Sequence, residues 1–315
     1  EHRYIMVDKN PKDVEKAKQD RLNLMNTIKE LMTINKIPKI NLKDTGVNLV
    51  NDKIGEGGQA KVYKGNLSGE LVAAKLLEDI DHKCLAHEIV ILSNLKHECI
   101  PKFHGLILED DKIGFINKYI NGKPLDEYKF MDFEESLKMK IMCKLASVLQ
   151  YIHENTFIHR DLKPENMMLD KDMNFYLIDF GIAKVMTNMI DTITRAKGTI
   201  YYLAPETLEV AELTDKDEIV SKISTKVDVW AFGCIMSYLF SGLLPWTNKY
   251  KDNASAIQKL LLKSTEFPIP EDEIKAKNYK NHDLIIKVIR NCTQVNSSER
   301  SSMKEISEIL FSKVK

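Results

Sequence analysis

Apolar positions early in the chain repeat with a helical period. Val14, Ala17, Leu24, Met25, Ile28, Leu31 and Met32 recur on a Lys- and Glu-rich background, which predicts one amphipathic helix. Asn10-Pro11-Lys12-Asp13 supplies its start, with a cap-capable residue, Pro at a first helical position and an acid in the first turn. The stripe must be buried on something: the adjoining domain, or a regulatory partner or second copy of the chain, the pattern being too short for a coiled coil. Strand-like runs follow at 47–54, 62–65 and 71–75 and again around 103–108 and 113–116, with a helix at 85–92 between them. From about 133 to 155 helical spacing returns in Leu137, Ile141, Leu145, Val148, Leu149 and Ile152, predicting a core helix; His153 is read as its end residue, without chemistry. Later helices are expected at 257–262, 284–291 and 303–310.

Composition narrows the class. The most apolar long stretch, 234–246, is interrupted by Ser237, Ser241, Gly242 and Pro245 and is too short to span a bilayer, so no membrane segment is expected. With 315 residues, 43% of them hydrophobic, the chain has length for about two domains. Lys plus Arg equals Asp plus Glu, 46 each, so no global field draws nucleic acid or an anionic membrane. Cys84, Cys99, Cys143, Cys234 and Cys292 are odd in number and show no CxxC spacing, which speaks against a disulfide framework or a zinc site and for a reducing compartment. A cytoplasmic or nuclear location is the expectation. No charged-then-apolar leader opens the chain, which starts at Glu1 without Met and reads as a fragment.

Two stretches carry chemistry. Gly55-Glu56-Gly57-Gly58-Gln59-Ala60-Lys61-Val62 is a Gly-rich turn between strand-like runs, of the kind that lets backbone amides close over phosphates. Taken alone it is equally an ordinary hairpin. The run 158–166, Ile158-His159-Arg160-Asp161-Leu162-Lys163-Pro164-Glu165-Asn166, followed by Asp179-Phe180-Gly181, supplies a proton acceptor, a cation for phosphate and two metal-binding groups. Those are the parts that phosphoryl transfer needs.

At these residues, and at Gly198-Thr199-Ile200-Tyr201-Tyr202-Leu203-Ala204-Pro205-Glu206, the chain resembles the eukaryotic protein kinases of the serine/threonine type. The resemblance implies an α+β, two-lobed fold over residues 48–312. A small antiparallel-sheet lobe with one main helix would span 48–117, a hinge 118–122 and a larger, mostly helical lobe 123–312, after a helical extension at 1–47. It implies transfer of the γ-phosphoryl group of ATP, with Mg2+, to Ser or Thr hydroxyls of protein substrates. Asp161 would orient the acceptor hydroxyl, Lys163 neutralise the moving phosphoryl group, and Asn166 and Asp179 hold Mg2+. Lys75 would grip the phosphates, paired with Glu88, with Glu78 and Asp79 as competing acids. Ile54, Gly55, Gly57, Val62, Ala73, Lys75, Asn117, Lys118, Ile120 and Met168 would surround ATP. The family's third loop glycine falls on Ala60 here, and its ribose-contact position on Pro124, with Asp126 nearby. Phe180 would stack on His159, Leu92 and Phe103.

By the same resemblance, Thr199 would bond Asp161 and Lys163, Asp228 would brace the catalytic-loop backbone, and Arg300 would pair with Glu206. Regulation by phosphorylation is expected at Thr194 first and Thr192 second, because Arg160 offers a cation to a phosphate on that segment. The surplus at 209–225 reads as an exposed insertion, a tolerated loop or a docking element. Two rivals stand beside the enzyme. A non-catalytic scaffold would show loss of Lys75, Asp161, Asn166 or Asp179, and all four are present. A small-molecule kinase fits poorly with Ala204-Pro205-Glu206, which belongs to a platform for peptides.

Overall fold

In a computed structural model of the chain the described residues are 11–56, 60–78, 82–109, 112–179, 199–211, 223–247, 254–263 and 265–312. Gly57, Gly58, Asp79, Phe180, Gly181, Thr192, Thr194 and residues 212–222 of the expected insertion lie outside them, as do the side chains of Cys84 and Thr199. The chain divides into two compact units. One holds the chain through Asn94 together with Phe103–Lys118, and the other holds Leu95–Lys102 together with Tyr119 onward.

The first unit is an antiparallel sheet with two helices. Helix α1 spans Pro11–Ile34 and α2 His82–Asn94, and α1 lies against α2. Strands β1 (Lys53–Glu56), β2 (Ala60–Leu67), β3 (Glu70–Leu77), β4 (Phe103–Leu108) and β5 (Ile113–Lys118) pair in the order β1-β2-β3-β5-β4. Ser68 and Gly69, both at positive φ (53° and 92°), close the β2–β3 hairpin with the twist that two-residue turns require. The strand expected at 47–54 begins only at Lys53. Upstream, Asn48 Oδ1 accepts from Val50 N (2.9 Å), and Asp52 Oδ2 accepts from Asn48 N (2.7 Å), so side chains fold those residues into a turn.

Parity along β3 sorts its side chains. Val72, Ala74 and Leu76 enter a core with Tyr63, Ile107 and Ile116 and with Ile40 and Leu42 from the segment after α1. Ala73 and Lys75, being out of phase, take the opposite face.

The second unit contains a short sheet, β6 (Gly122–Pro124), β7 (Met167–Asp170) and β8 (Phe175–Leu177), in that order. The described helices are α3 (Glu135–Glu154), α4 (Pro205–Ala211), α5 (Lys226–Ser241), α6 (Ala254–Leu262), α7 (Glu271–Ala276), α8 (His282–Cys292) and α9 (Met303–Phe311). Helix α5 is buried nearly all round, packed by α3 and α8, which accounts for the apolar composition of 234–241. It stops at Gly242, whose φ of 82° suits glycine. Ser302 and Glu305 form a capping box that starts α9. No described helix is long and apolar enough to cross a membrane. Cys99, Cys143, Cys234 and Cys292 are free and buried, and burial pushes the Cys99 and Cys143 thiols up to about 11. They are packing groups, not nucleophiles.

Candidate active site

In the first unit, antiparallel register collects several expected ligand residues on one sheet face. Gly55 pairs with Val62, Val62 with Lys75, and Ala73 with Asn117. Paired residues in such a ladder point the same way, so these residues share the face of the sheet opposite Val72, Ala74 and Leu76. Lys75 Nζ stands 3.5 Å from Glu88 Oε1 on α2, and Glu88 is only 3% exposed. Of the competing acids, Glu78 pairs instead with Lys61, and Asp79 is outside the described residues. Asn117 Oδ1 is buried and receives no hydrogen bond from the described residues. Ile54 is about half exposed and Lys118 ends β5 in an exposed position.

In the second unit, the polypeptide between α3 and β7 draws three side chains together. Pro164 starts a 3-10 turn, Pro164–Asn166, that folds the loop back on itself. Asn166 Nδ2 thereby donates to Asp161 O (2.8 Å) and Asp161 Oδ2 (3.1 Å), and Lys163 Nζ lies 3.0 Å from Asp161 Oδ2. With its nitrogen turned to Asp161, Asn166 keeps its carbonyl Oδ1 as the donor for a cation. Asp179 follows β8, and its charge and main chain act on His159, whose Nδ1 accepts from Asp161 N (3.3 Å). Burial holds His159 below its ordinary value against the pull of Asp228, Asp161 and Asp179. Ile120 is buried just before β6, and Met168 on β7 is half-buried, paired with Pro124 and Tyr176.

Behind this cluster sits Asp228 on α5, 1% exposed. It accepts from His159 N (2.8 Å), Arg160 N (2.8 Å) and His153 Nε2 (2.9 Å). Burial alone would raise its carboxyl, but the His153 hydrogen bond and charge lead the effects that hold it below the ordinary value. Arg160 takes a left-handed φ of 68°, and its Nε has no partner among the described residues. A cleft lined by Arg160, Asp161, Tyr202, Ala204 and Ile223 opens beside the loop. Deeper, Arg300 spends all five guanidinium N–H groups. Nη1 and Nη2 reach Glu206 Oε1 and Oε2 (2.6 and 2.8 Å), while Gln294 O, Lys226 O and Val295 O accept the rest at 2.7, 2.9 and 3.1 Å. Its guanidinium also lies 4.9 Å over the Trp230 ring.

His153, expected to be only a helix end, is thus a ligand of the residue that ties down the 158–166 loop. The sole sequence signal was a polar ring closing an otherwise apolar stripe.

A carboxylate flanked by an ammonium and an amide, with hard oxygen donors close by, is the equipment of a phosphotransferase. The donor set suits Mg2+, which accepts few protein ligands; among the described residues no group of three or more His, Cys, Asp or Glu is placed to hold a metal. The protein kinase domain family matches residues 49–312, and the chain belongs to that family, with its antiparallel sheet unit and helical unit. It is 29% identical, over 84% of its length, to a probable LRR receptor-like serine/threonine-protein kinase of Arabidopsis thaliana. It is 31% identical, over 70% of its length, both to a probable serine/threonine-protein kinase of Dictyostelium discoideum and to mitogen-activated protein kinase kinase kinase 2 of Arabidopsis thaliana. The chain spans only 27%, 24% and 35% of these relatives.

Proposed function

We propose that this chain transfers the γ-phosphoryl group of ATP to Ser and Thr hydroxyls of proteins. The observation that carries the reading is the Asp161–Lys163–Asn166 cluster, held by a loop whose amides are fixed on Asp228. When bound, MgATP supplies the phosphoryl group and screens its charge. Asp161 orients the acceptor hydroxyl and takes up its proton. Lys163 stabilises charge on the transferred group, and Asn166 and Asp179 offer oxygens to Mg2+. Lys75, steadied by Glu88, holds the nucleotide phosphates, with Ile54, Gly55, Gly57, Val62, Ala73 and Met168 about the nucleotide and the main chain of Lys118 and Ile120 at the base edge. The buried acceptor Asn117 Oδ1 fits a nucleotide amine. Catalysis comes from positioning and charge stabilisation, not from a reactive side chain.

Preference for Ser and Thr is supported by Lys163 and by the names of the relatives. Phosphate on Thr194, or on Thr192, raises activity in this reading, supported by the Arg160 guanidinium beside the catalytic residue. Free, buried thiols support a reducing compartment, cytoplasmic or nuclear.

The test is radiolabel transfer from γ-labelled ATP to generic proteins, with and without Mg2+, followed by phosphoamino-acid analysis. Mg2+-dependent labelling of Ser and Thr, abolished in Asp161→Asn and Asp179→Asn, is expected. Wild-type turnover by either variant, or absence of labelling in a folded, phosphorylated sample, refutes the reading and leaves the non-catalytic scaffold.

A further inference from the structure

The family match begins at residue 49, yet the segment before it is built into the first unit. Helix α1 lies on α2, the helix that carries Glu88, and its Leu24 and Ile28 are buried, Ile28 completely. Its end is closed, not frayed. Ile37 N donates to Met32 O (2.8 Å) and Lys36 N to Thr33 O (3.3 Å), with Lys36 in the left-handed region at φ 53°. Straight after this turn the chain runs along the outer edge of β4. Leu106 N donates to Pro38 O (2.9 Å), Ile40 N donates to Leu106 O (2.8 Å), and Lys39 bridges Leu106 in parallel. Gly105 permits the approach, because a Cβ there would meet Pro38 O at 2.3 Å. Leu42 N then donates to Glu109 Oε1 (2.8 Å).

Helix α2 also packs on β4, so α1 and β4 both bear on it, and the closed turn at 35–37 joins α1 rigidly to the strap on β4. The separation of 3.5 Å between Lys75 and Glu88 lies at the outer limit of a charge-assisted contact. The position of α2 therefore sets how closely Glu88 approaches Lys75.

We propose that residues 24–42 are a positioning brace, which holds α2 so that Glu88 meets Lys75 and so sets the catalytic rate from outside the family's matched region. This inference rests on the kinase reading of the Lys75–Glu88 pair. The test uses the full chain as wild type, Leu24→Ala/Ile28→Ala, Glu88→Gln and the combined triple variant. Steady-state kinetics in ATP are read beside hydrogen exchange of the α2 amides.

The brace variant is expected to lose tenfold or more in kcat/KM for ATP and to exchange faster in α2. In the Glu88→Gln background it should add less than twofold, a coupling that general destabilisation would not produce. The brace is overturned if the double variant keeps kcat/KM within twofold of wild type, or if it adds a full tenfold loss on top of Glu88→Gln. Wild-type activity in Glu88→Gln alone overturns the reading of the pair itself, and the brace with it. Should the double variant fail to fold, Ile28→Val replaces it, with two- to fivefold loss and faster α2 exchange expected; unchanged kinetics and exchange would overturn the brace.

Discussion

Asp228→Asn is the sharpest probe of how the 158–166 loop, catalytic in the proposed function, is held. The carboxylate accepts the buried amide of His159, the amide of Arg160 and the His153 ring within 2.8 to 2.9 Å. Hydrogen bonds to a charged group contribute about 1.5 to 3 kcal/mol each. An Asn amide retains one acceptor oxygen but turns an NH2 toward donors, so one or two of the three bonds are lost, and a stability loss of about 2 to 4 kcal/mol follows. A functional effect of similar size accompanies it. Arg160 is held at φ 68° partly by its amide on Asp228, and a non-glycine residue there stores about 1 to 3 kcal/mol of strain. Released, that residue relaxes and carries Asp161, the next in the chain, away from its place.

A misplacement of about 1 Å costs about 100-fold in rate, so kcat should fall by about that factor, with KM for ATP within about threefold of wild type. Denaturant unfolding and steady-state kinetics measure the two effects. The acid limb supplies a control: the Asp228 carboxyl is held below its ordinary value, so its stabilisation is present above about pH 4 and disappears as pH falls through the folded-state value. The stability difference between wild type and Asp228→Asn should shrink over that range. A kcat within twofold of wild type, with less than about 1 kcal/mol lost, would refute the reasoning.

Two further perturbations test the second unit. Glu206→Ala strands the guanidinium of Arg300, whose side chain is fully buried, and should destabilise by about 3 to 5 kcal/mol; a shift of the denaturation midpoint worth less than about 1 kcal/mol would show that the pair is not holding α4. Lys138 on α3 is fully buried, donates to Tyr279 Oη (2.8 Å), and is lowered to about 8 from 10.5 by burial first and Lys277 second. The unfolded chain therefore binds more protons between those values, so stability rises with pH from about 8 to 10.5. Lys138→Met should raise stability at pH 7 by about 2 kcal/mol, the charge-burial cost less the lost hydrogen bond, and urea midpoints should show that gain vanishing near pH 10.

What the sequence disclosed follows the range of the interactions involved. Asp161, Lys163 and Asn166 lie within one loop, so local chain geometry suffices to bring them together. Lys75 stood out only through the family resemblance, since an apolar run ending in one Lys is equally an ordinary sheet edge; the β3 alternation that buries Val72, Ala74 and Leu76 and leaves Lys75 on the other face emerges with the structure. The strand start at Lys53 was not legible, because Asn48 and Asp52 are turn formers whose side chains won over the apolar pattern of 47–54. His153 was missed for a different reason: its partner is 75 positions away, and no local pattern encodes that pairing. Nothing local marks Lys138 either, since Phe240 and Tyr279 from distant segments enclose it, with Nζ 6.0 and 5.2 Å from their ring centroids.

The same distinction explains why the segment before residue 49 is more than a leader to the matched domain. A sheet edge left open presents unpaired amides and carbonyls, and β4 is an edge strand in this unit. Pro38 and Ile40 satisfy Leu106 on that edge, while Ile40 and Leu42 fill the core under β3. Each buried side chain of that size contributes about 1.5 to 3 kcal/mol, of the order of a small domain's whole margin when taken together. Those contacts lie on the face of β3 opposite Lys75, so the extension secures the sheet from one side while α1 bears on α2 from another. The parity that turns Ala73 and Lys75 to one face of β3 is the same parity that obliges the other face to find cover, and in this chain the N-terminal segment supplies part of it.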